Sequence, residues 1–147
     1  MTVSVLSLIV QTITLIAIFI GGWQLLVQNR QIHRDFESIY VQRYWTIMDR
    51  RSTKWALKGQ YDVEDRVVAR QYLLLCEDEI DLRARGRITD ATWAFWGDAI
   101  LTQARAAPYA AELTSSGPDE YPGLRAFLES KDDPIHHELL WRRSHGL

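Results

Sequence analysis

Four acidic residues form the densest group of ionisable side chains in the sequence. They are Glu77, Asp78, Glu79 and Asp81, and on a helix Glu77 and Asp81 share one face. A di-iron or di-manganese bundle would also need Glu-x-x-His pairs, but the nearest match is Asp133 followed by His136. We therefore interpret the group as a solvated acidic helix face.

The histidines and the single cysteine carry little catalytic signal. His136 and His137 are adjacent, so on a helix their side chains point about 100° apart and do not share one ion without distortion. Cys76 follows three leucines and reads as a buried small hydrophobe with no nearby histidine to activate it. The sequence predicts no catalytic residue, no metal ion and no cofactor.

The tryptophans are more informative. Trp93 and Trp96 are three residues apart and are predicted core residues. Trp45, Trp55 and Trp141 are candidate partner contacts, because five tryptophans beyond the first segment exceed what one small core readily buries. A protein–protein surface is the function that they favour.

The first part of the chain differs chemically from the rest. Residues 1–29 contain no ionisable side chain, whereas the remaining residues carry all 17 basic and 19 acidic ones. The uncharged stretch from Val3 to Leu26 would be about 36 Å long as a helix, enough to cross a hydrocarbon core. A cleaved signal peptide fits less well, because there is no basic start, the stretch is long and no small-x-small site follows. Trp23 stands where an aromatic residue would anchor the helix at the headgroups.

Small and polar residues recur along this apolar stretch at steps of three or four. The stripe consists of Ser4, Ser7, Gln11, Thr14, Ala17 and Gly21. Such a stripe is typical of a seam at which the helix packs against itself or against another membrane protein. The alternative is a plain anchor that tolerates these residues without consequence.

Charge suggests an orientation. Arg30, Arg34 and Arg43 follow the apolar stretch and nothing basic precedes it, so the positive-inside rule places the N-terminus outside and the C-terminal domain in the cytoplasm. We expect a single-pass protein of the cell inner membrane. The region Val27 to Lys58 has a net charge of +4, whereas the region Gly59 to Leu147 has a net charge of −6. This distribution suits a basic end beside anionic lipid. The overall charge of −2 offers no support for nucleic-acid binding.

Beyond the apolar stretch the sequence reads as helices only. With no Gly or Pro from Trp23 to Leu57, the membrane helix is predicted to continue unbroken to Gly59. The predicted organisation is a transmembrane helix over 1–28, a juxtamembrane basic helix over 29–58 and a soluble helical domain over 59–147, loosely ordered in its C-terminal third. The fold class is all-α, with one transmembrane helix continuing into a small antiparallel bundle.

Within the soluble part, capping signals mark two further helices. Asp62 and Asp65 predict a capping box at the start of a helix over Val63–Arg85, which Gly86 would end. Acid-to-base pairs Glu79–Arg83 and Asp81–Arg85 are expected along it. The next helix is predicted to start at Thr89 and Asp90 and to bury the face that contains Trp93, Trp96 or Gly97, Ile100 or Leu101, and Ala104. Short helices are expected over Tyr109–Leu113, Gly123–Glu129 and Pro134–Arg143.

The chain resembles a loose group of uncharacterised bacterial single-pass membrane proteins. The resemblance rests on Gln11–Gln31, where a Gln-Thr-Ile-rich helix runs into Trp-Gln-Leu, and on Cys76–Trp93, where an acidic helix closes in a Gly turn. The turn departs from the group's Arg-x-Gly pattern, since it reads Arg85-Gly86-Arg87. The resemblance implies topology and helical fold, and it implies no activity and no functional residue.

Two functions remain open at this point. The first is a non-enzymatic, membrane-tethered helical interaction module, acting as an accessory subunit of a larger membrane complex. The alternative is a small membrane-anchored enzyme or effector that uses the acidic helix and the C-terminal histidines. A pocket that brings a histidine to the acidic helix would favour the alternative.

Overall fold

The structure, a computed structural model, describes residues 2–144 and 147. These residues form seven helices and no strand, so the predicted all-α fold is confirmed. The helices are α1 (Thr2–Met48), α2 (Thr53–Lys58), α3 (Val63–Ala84), α4 (Asp90–Gln103), α5 (Tyr109–Ser115), α6 (Pro122–Ser130) and α7 (Leu139–Ser144).

Helix α1 has 47 residues and is therefore about 70 Å long. Its segment Ser7–Leu25 is long and apolar enough to cross a membrane, and none of that segment is buried against the rest of the chain. The predicted continuation of the apolar helix into the polar region is confirmed, because α1 is unbroken past Ile39.

The end of α1 differs from the prediction of one helix reaching Leu57. The chain turns after Met48, and Ser52 caps α2 by accepting a hydrogen bond from the backbone N–H of Trp55. The buried Asp65 carboxylate of α3 accepts bonds from both the Ser52 N–H, at 2.8 Å, and the Ser52 hydroxyl, at 2.6 Å. A tertiary contact therefore selects a turn that helical periodicity alone does not reveal.

Helix α3 begins and ends as the sequence predicts. Asp62 and Asp65 form the capping box. At the other end, the N–H of Gly86 bonds to the carbonyl of Arg83 and that of Arg87 to the carbonyl of Leu82, a Schellman motif. This motif needs a left-handed residue, and Gly86 adopts it with φ of 65°.

The core surrounds α3, which packs against α1, α5 and α6. Its fully buried side chains include Leu73, Leu75 and Cys76 from α3, with Ile100 of α4 and Leu124 of α6 against them. The predicted inner face of α4 is confirmed, since Trp93, Gly97, Ile100 and Ala104 are all buried.

The C-terminal third contributes side chains to the core. Tyr109 of α5 and Phe127 of α6 are buried in the core around α3. The tail helix is shorter than the predicted Pro134–Arg143, because α7 begins only at Leu139. The chain before it is tied down by side chains, with Ile135 buried and Asp133 bonded to Arg83.

Candidate functional site

One member of the acidic group lies in the interior and not in solvent. Glu79 is only 7% exposed, although the sequence predicts a solvated acidic face for it. The physical reason is spacing: Tyr72, Cys76, Glu79 and Arg83 follow each other at steps of four, three and four, which is the buried stripe of α3. The same spacing was the available sequence signal, because Glu79 and Arg83 simply continue the apolar positions.

Glu79 lines a cavity of about 380 Å³ between α1, α3 and α4. Its walls are mostly aromatic and aliphatic, and Gln103 is the one other side chain with an amide or carboxyl group in the lining. The lining comprises Tyr40, Val41, Tyr44, Trp45, Tyr72, Glu79, Phe95, Trp96, Ala99, Ile100 and Gln103. A cavity of this size with few polar groups has the general character of a ligand site.

Burial dominates the electrostatics of Glu79. Desolvation raises its pKa to about 8, with a further rise from Asp78 and an opposing contribution from Arg43. Arg43 does not neutralise Glu79 directly, because its guanidinium forms an ion pair with Asp78 at 2.8 Å. The carboxyl therefore lacks a dedicated cationic partner among the described residues.

The rings of the cavity are held by contacts with one another. Tyr40 lies 6.3 Å from Trp96 between ring centroids, which joins α1 to α4. Tyr44 meets Tyr72 edge to face at 6.1 Å, which joins α1 to α3. The walls are therefore set by the same packing that holds the helices together.

A second cavity, of about 410 Å³, brings His136 to the acidic helix beside Glu77 and Asp81. Two of its carboxylates already have structural roles. Glu77 accepts bonds from the N–H groups of Gly123 and Leu124 at 2.9 and 2.7 Å and so caps α6. Asp81 pairs with Arg85 as predicted, at 3.0 Å.

The predicted pair Glu79–Arg83 does not describe the role of Arg83. Arg83 is fully buried and donates to both carboxylate oxygens of Asp133, at 2.8 and 2.5 Å, and to Asp90 at 2.7 Å. Arg142 bonds to the same two carboxylates. We call these four residues the Arg83 cluster; it joins α3, α4 and the C-terminal tail. Sequence reasoning missed it, because its members are up to 59 positions apart and share no periodicity.

The three tryptophans predicted as partner contacts have different surroundings. Trp45 is 57% exposed on α1, at the edge of the Glu79 cavity. Trp55 is half-buried and packs on Tyr109 at 5.5 Å, so it belongs to the core. Trp141 is half-buried and stacks on His137 at 3.7 Å. Phe95 on α4, which sequence reasoning did not select, is 74% exposed.

The predicted seam lies on the part of α1 outside the bundle. Ser7, Gln11 and Ala17 are exposed, and nothing lies within 4 Å of a Cβ built on Gly21. The Thr14 hydroxyl donates to the Val10 carbonyl at 2.9 Å, so it is already satisfied within the helix. The side chain of Ser4 lies outside the described residues. Trp23, the predicted interfacial anchor, is 64% exposed.

Metal ligands do not cluster in the part of the chain that the structure describes: no three His, Cys, Asp or Glu side chains there could hold one ion together. Comparison with known proteins adds no relative. No family model matches the chain, and neither a curated protein nor a solved structure shows significant similarity to it.

Proposed function

We propose that the protein is a membrane-tethered helical interaction module and an accessory subunit of a larger membrane complex. The observation that carries the proposal is the exposed apolar surface formed by Val41, Trp45 and Phe95, which we call the α1–α4 surface. Aromatic residues of this exposure beside a groove are typical of protein-binding surfaces. No catalytic residue is part of the proposal.

Membrane anchoring is supported by the course of α1. The segment Ser7–Leu25 presents large apolar side chains on all sides, and no part of the bundle covers it. The same helix continues into the core, where Ile47 and Met48 are buried. Removal of the segment as a signal peptide would cut a continuous helix, so retention as an anchor is the simpler proposal.

The partner that we propose is another protein of the same membrane. Helix α1 carries both the apolar segment and Trp45, about 30 Å beyond Leu25 along one helix. A continuous helix keeps the α1–α4 surface at a constant height above the bilayer. A partner anchored in that bilayer meets the surface without diffusing through the cytoplasm.

The test is site-specific photocrosslinking of the full-length protein in intact membranes. A photoreactive amino acid at Phe95 should crosslink to a second membrane protein, and Trp45→Ser should reduce the yield at least fivefold. The control position is Asp132, an exposed residue that lines neither of the grooves at the α1–α4 surface. Equal yields from the two positions, or a product made only of two copies of this chain, would refute the proposal.

The seam is proposed as a second contact with the same partner. Gln11 carries most of the expected effect, since an amide in hydrocarbon needs a partner and such bonds contribute about 0.6–2 kcal/mol. Gln11→Leu or Gly21→Leu should weaken co-purification of the crosslinked partner. Ile9→Leu and Ile16→Leu, off the stripe, are the matched controls. If all four behave alike, the helix is only an anchor.

The enzyme or effector alternative is favoured by one observation, the cavity that brings His136 to Glu77 and Asp81. Its weakness is that Glu77 and Asp81 are engaged in capping and in an ion pair. His136→Ala should abolish an activity of this kind while the thermal midpoint stays unchanged. A normal cellular phenotype of that variant would exclude the alternative.

A further inference from the structure

The Glu79 cavity contains one acidic group and almost no other polarity. Glu79 is more than nine-tenths buried, and it makes no hydrogen bond with the described residues that accounts for its position. Arg43, whose charge lowers the pKa of Glu79, is paired with Asp78. An ionised carboxylate in this place is poorly compensated, because burial removes water and Glu79 has no ion pair of its own among the described residues.

Aromatic rings make up most of the wall around this carboxyl. Tyr40, Tyr44 and Trp45 of α1, Tyr72 of α3, and Phe95 and Trp96 of α4 all line the cavity. The faces of such rings carry partial negative charge and attract cations, and rings grouped around a carboxylate are the usual recognition of substituted ammonium groups. The wall also supplies apolar contact for the substituents of such a cation.

From this geometry we infer that the cavity is a binding site for a small organic cation of the substituted-ammonium class. The positive charge contacts the Glu79 carboxylate, and the alkyl or aryl groups contact the surrounding rings. A volume of about 380 Å³ admits a molecule of this size. The inference does not depend on the proposed protein partner, because it concerns the interior of the groove and is tested with a pure protein and a small ligand.

Proton release should accompany binding. The pKa of Glu79 is raised to about 8, so the carboxyl is mostly protonated at neutral pH and ionises when a cation enters. The other groups that face it are Arg43, Tyr40 and Tyr44 from α1 and Tyr72, Cys76 and Asp78 from α3. Burial raises the pKa of Tyr40, Tyr72 and Cys76 above their usual values, so these groups do not titrate in the pH range in which Glu79 does. Affinity should rise on the order of tens-fold from pH 6 to 9.

The experiment is a titration of the full-length protein in detergent with phenyltrimethylammonium, followed by calorimetry and tryptophan fluorescence. Trp45 and Trp96 line the cavity and so report its occupancy. The neutral isostere tert-butylbenzene tests the charge, and we expect it to bind at least tenfold more weakly at pH 8.5. Glu79→Gln should weaken the cation at least tenfold and abolish the pH dependence, whereas Asp98→Asn should change neither.

A second variant separates the cavity from the carboxyl. Ala99→Phe fills the lining and leaves Glu79 in place, so it should also weaken the cation at least tenfold, with the helical circular dichroism unchanged. Equal binding of the two ligands would overturn the inference. So would unchanged affinity in Glu79→Gln or the absence of binding to the folded wild type at millimolar cation.

An ammonium group also occurs on lysine side chains, and a further arm distinguishes the two sources. A short unstructured peptide with one trimethyllysine between alanines is titrated under the same conditions. Binding of the small cation with weaker binding of the peptide supports a free organic cation as the ligand. Tighter binding of the peptide than of phenyltrimethylammonium would overturn that assignment.

Discussion

At the scale of single residues, charge inside the bundle is handled in two opposite ways. Asp90 and Asp133 are half-buried; burial alone raises their pKa, but hydrogen bonds from Arg83 and Arg142 outweigh it and lower the pKa of both. Glu79 lacks such donors, so burial raises its pKa to about 8. The first arrangement stabilises the ionised form, whereas the second keeps a carboxyl protonated at neutral pH.

Glu79 should make the bundle less stable as the pH rises. Its folded pKa of about 8 exceeds its ordinary value of 4.5, so between these values the folded state binds more protons than the unfolded state. The free energy of unfolding therefore falls from pH 4.5 to 8, on the order of a few kcal/mol from this group. Glu79→Gln should flatten that slope and stabilise the protein above pH 8.

The measurement is denaturant unfolding of the full-length protein, followed by near-ultraviolet circular dichroism at several pH values. The difference between wild type and variant isolates Glu79 from other titrating groups. Asp98→Asn should keep the wild-type slope. A variant as pH-dependent as the wild type would mean that Glu79 is ionised at neutral pH.

At the scale of elements, polar contacts decide where helices end and how they are joined. The polar half of α1 contacts the α3–α4 turn through Glu37, which accepts bonds from the N–H and hydroxyl of Thr89 at 3.1 and 2.7 Å. His33 bonds to the Arg87 carbonyl of the same turn at 2.9 Å. The Arg83 cluster joins the C-terminal tail to α3 and α4, so α1 and the tail both contact the α3–α4 region.

Removing one carboxylate of the Arg83 cluster should detach the tail. Asp133→Asn leaves the buried Arg83 guanidinium short of a counter-charge, and breaking a buried pair costs about 3–5 kcal/mol, less here because Asp133 is partly exposed. The wild-type contribution is present above the ordinary aspartate pKa and is lost as pH falls through the lowered folded value.

Limited proteolysis and the unfolding midpoint measure this effect. Asp133→Asn should lower the midpoint and expose the segment before α7 to cleavage. The adjacent, exposed Asp132 provides the control, and Asp132→Asn should resemble the wild type. Equal proteolysis of both variants would show that the cluster does not hold the tail.

At the scale of the whole molecule, one long helix connects two environments. The apolar segment Ser7–Leu25 is uncovered, whereas the same helix ends in the core at Ile47 and Met48. Among the residues whose burial the structure describes, His33 is the first buried one past the segment, about 12 Å beyond Leu25 along the helix. If the segment spans a bilayer, the bundle lies directly at its surface.

Orientation is the prediction at this scale. The excess of basic residues after the apolar segment predicts a cytoplasmic C-terminus. In a bacterial host, green fluorescent protein fused after Leu147 should therefore fluoresce, and alkaline phosphatase fused there should be inactive. Phosphatase activity with loss of fluorescence would reverse the orientation and leave the span itself unaffected.

The sequence alone determined the helical fold class, the apolar segment, the capping box of α3 and its glycine end. These are local properties, since periodicity, capping and left-handed glycine geometry act within a few residues. The sequence also predicted most of the buried face of α4, because Trp93, Gly97 and Ile100 recur at helical spacing.

Only the tertiary structure decided the turn after Met48, the pairing of Arg83 and the burial of Glu79. Each depends on groups far apart in the chain. Asp65 accepts a hydrogen bond from Ser52, Asp133 pairs with Arg83, and α1 and α4 enclose Glu79. A carboxyl on α3 is solvated, paired or enclosed according to which helix packs over it. That packing is a property of the assembled bundle, and it converts one member of an acidic run into the polar group of a cavity.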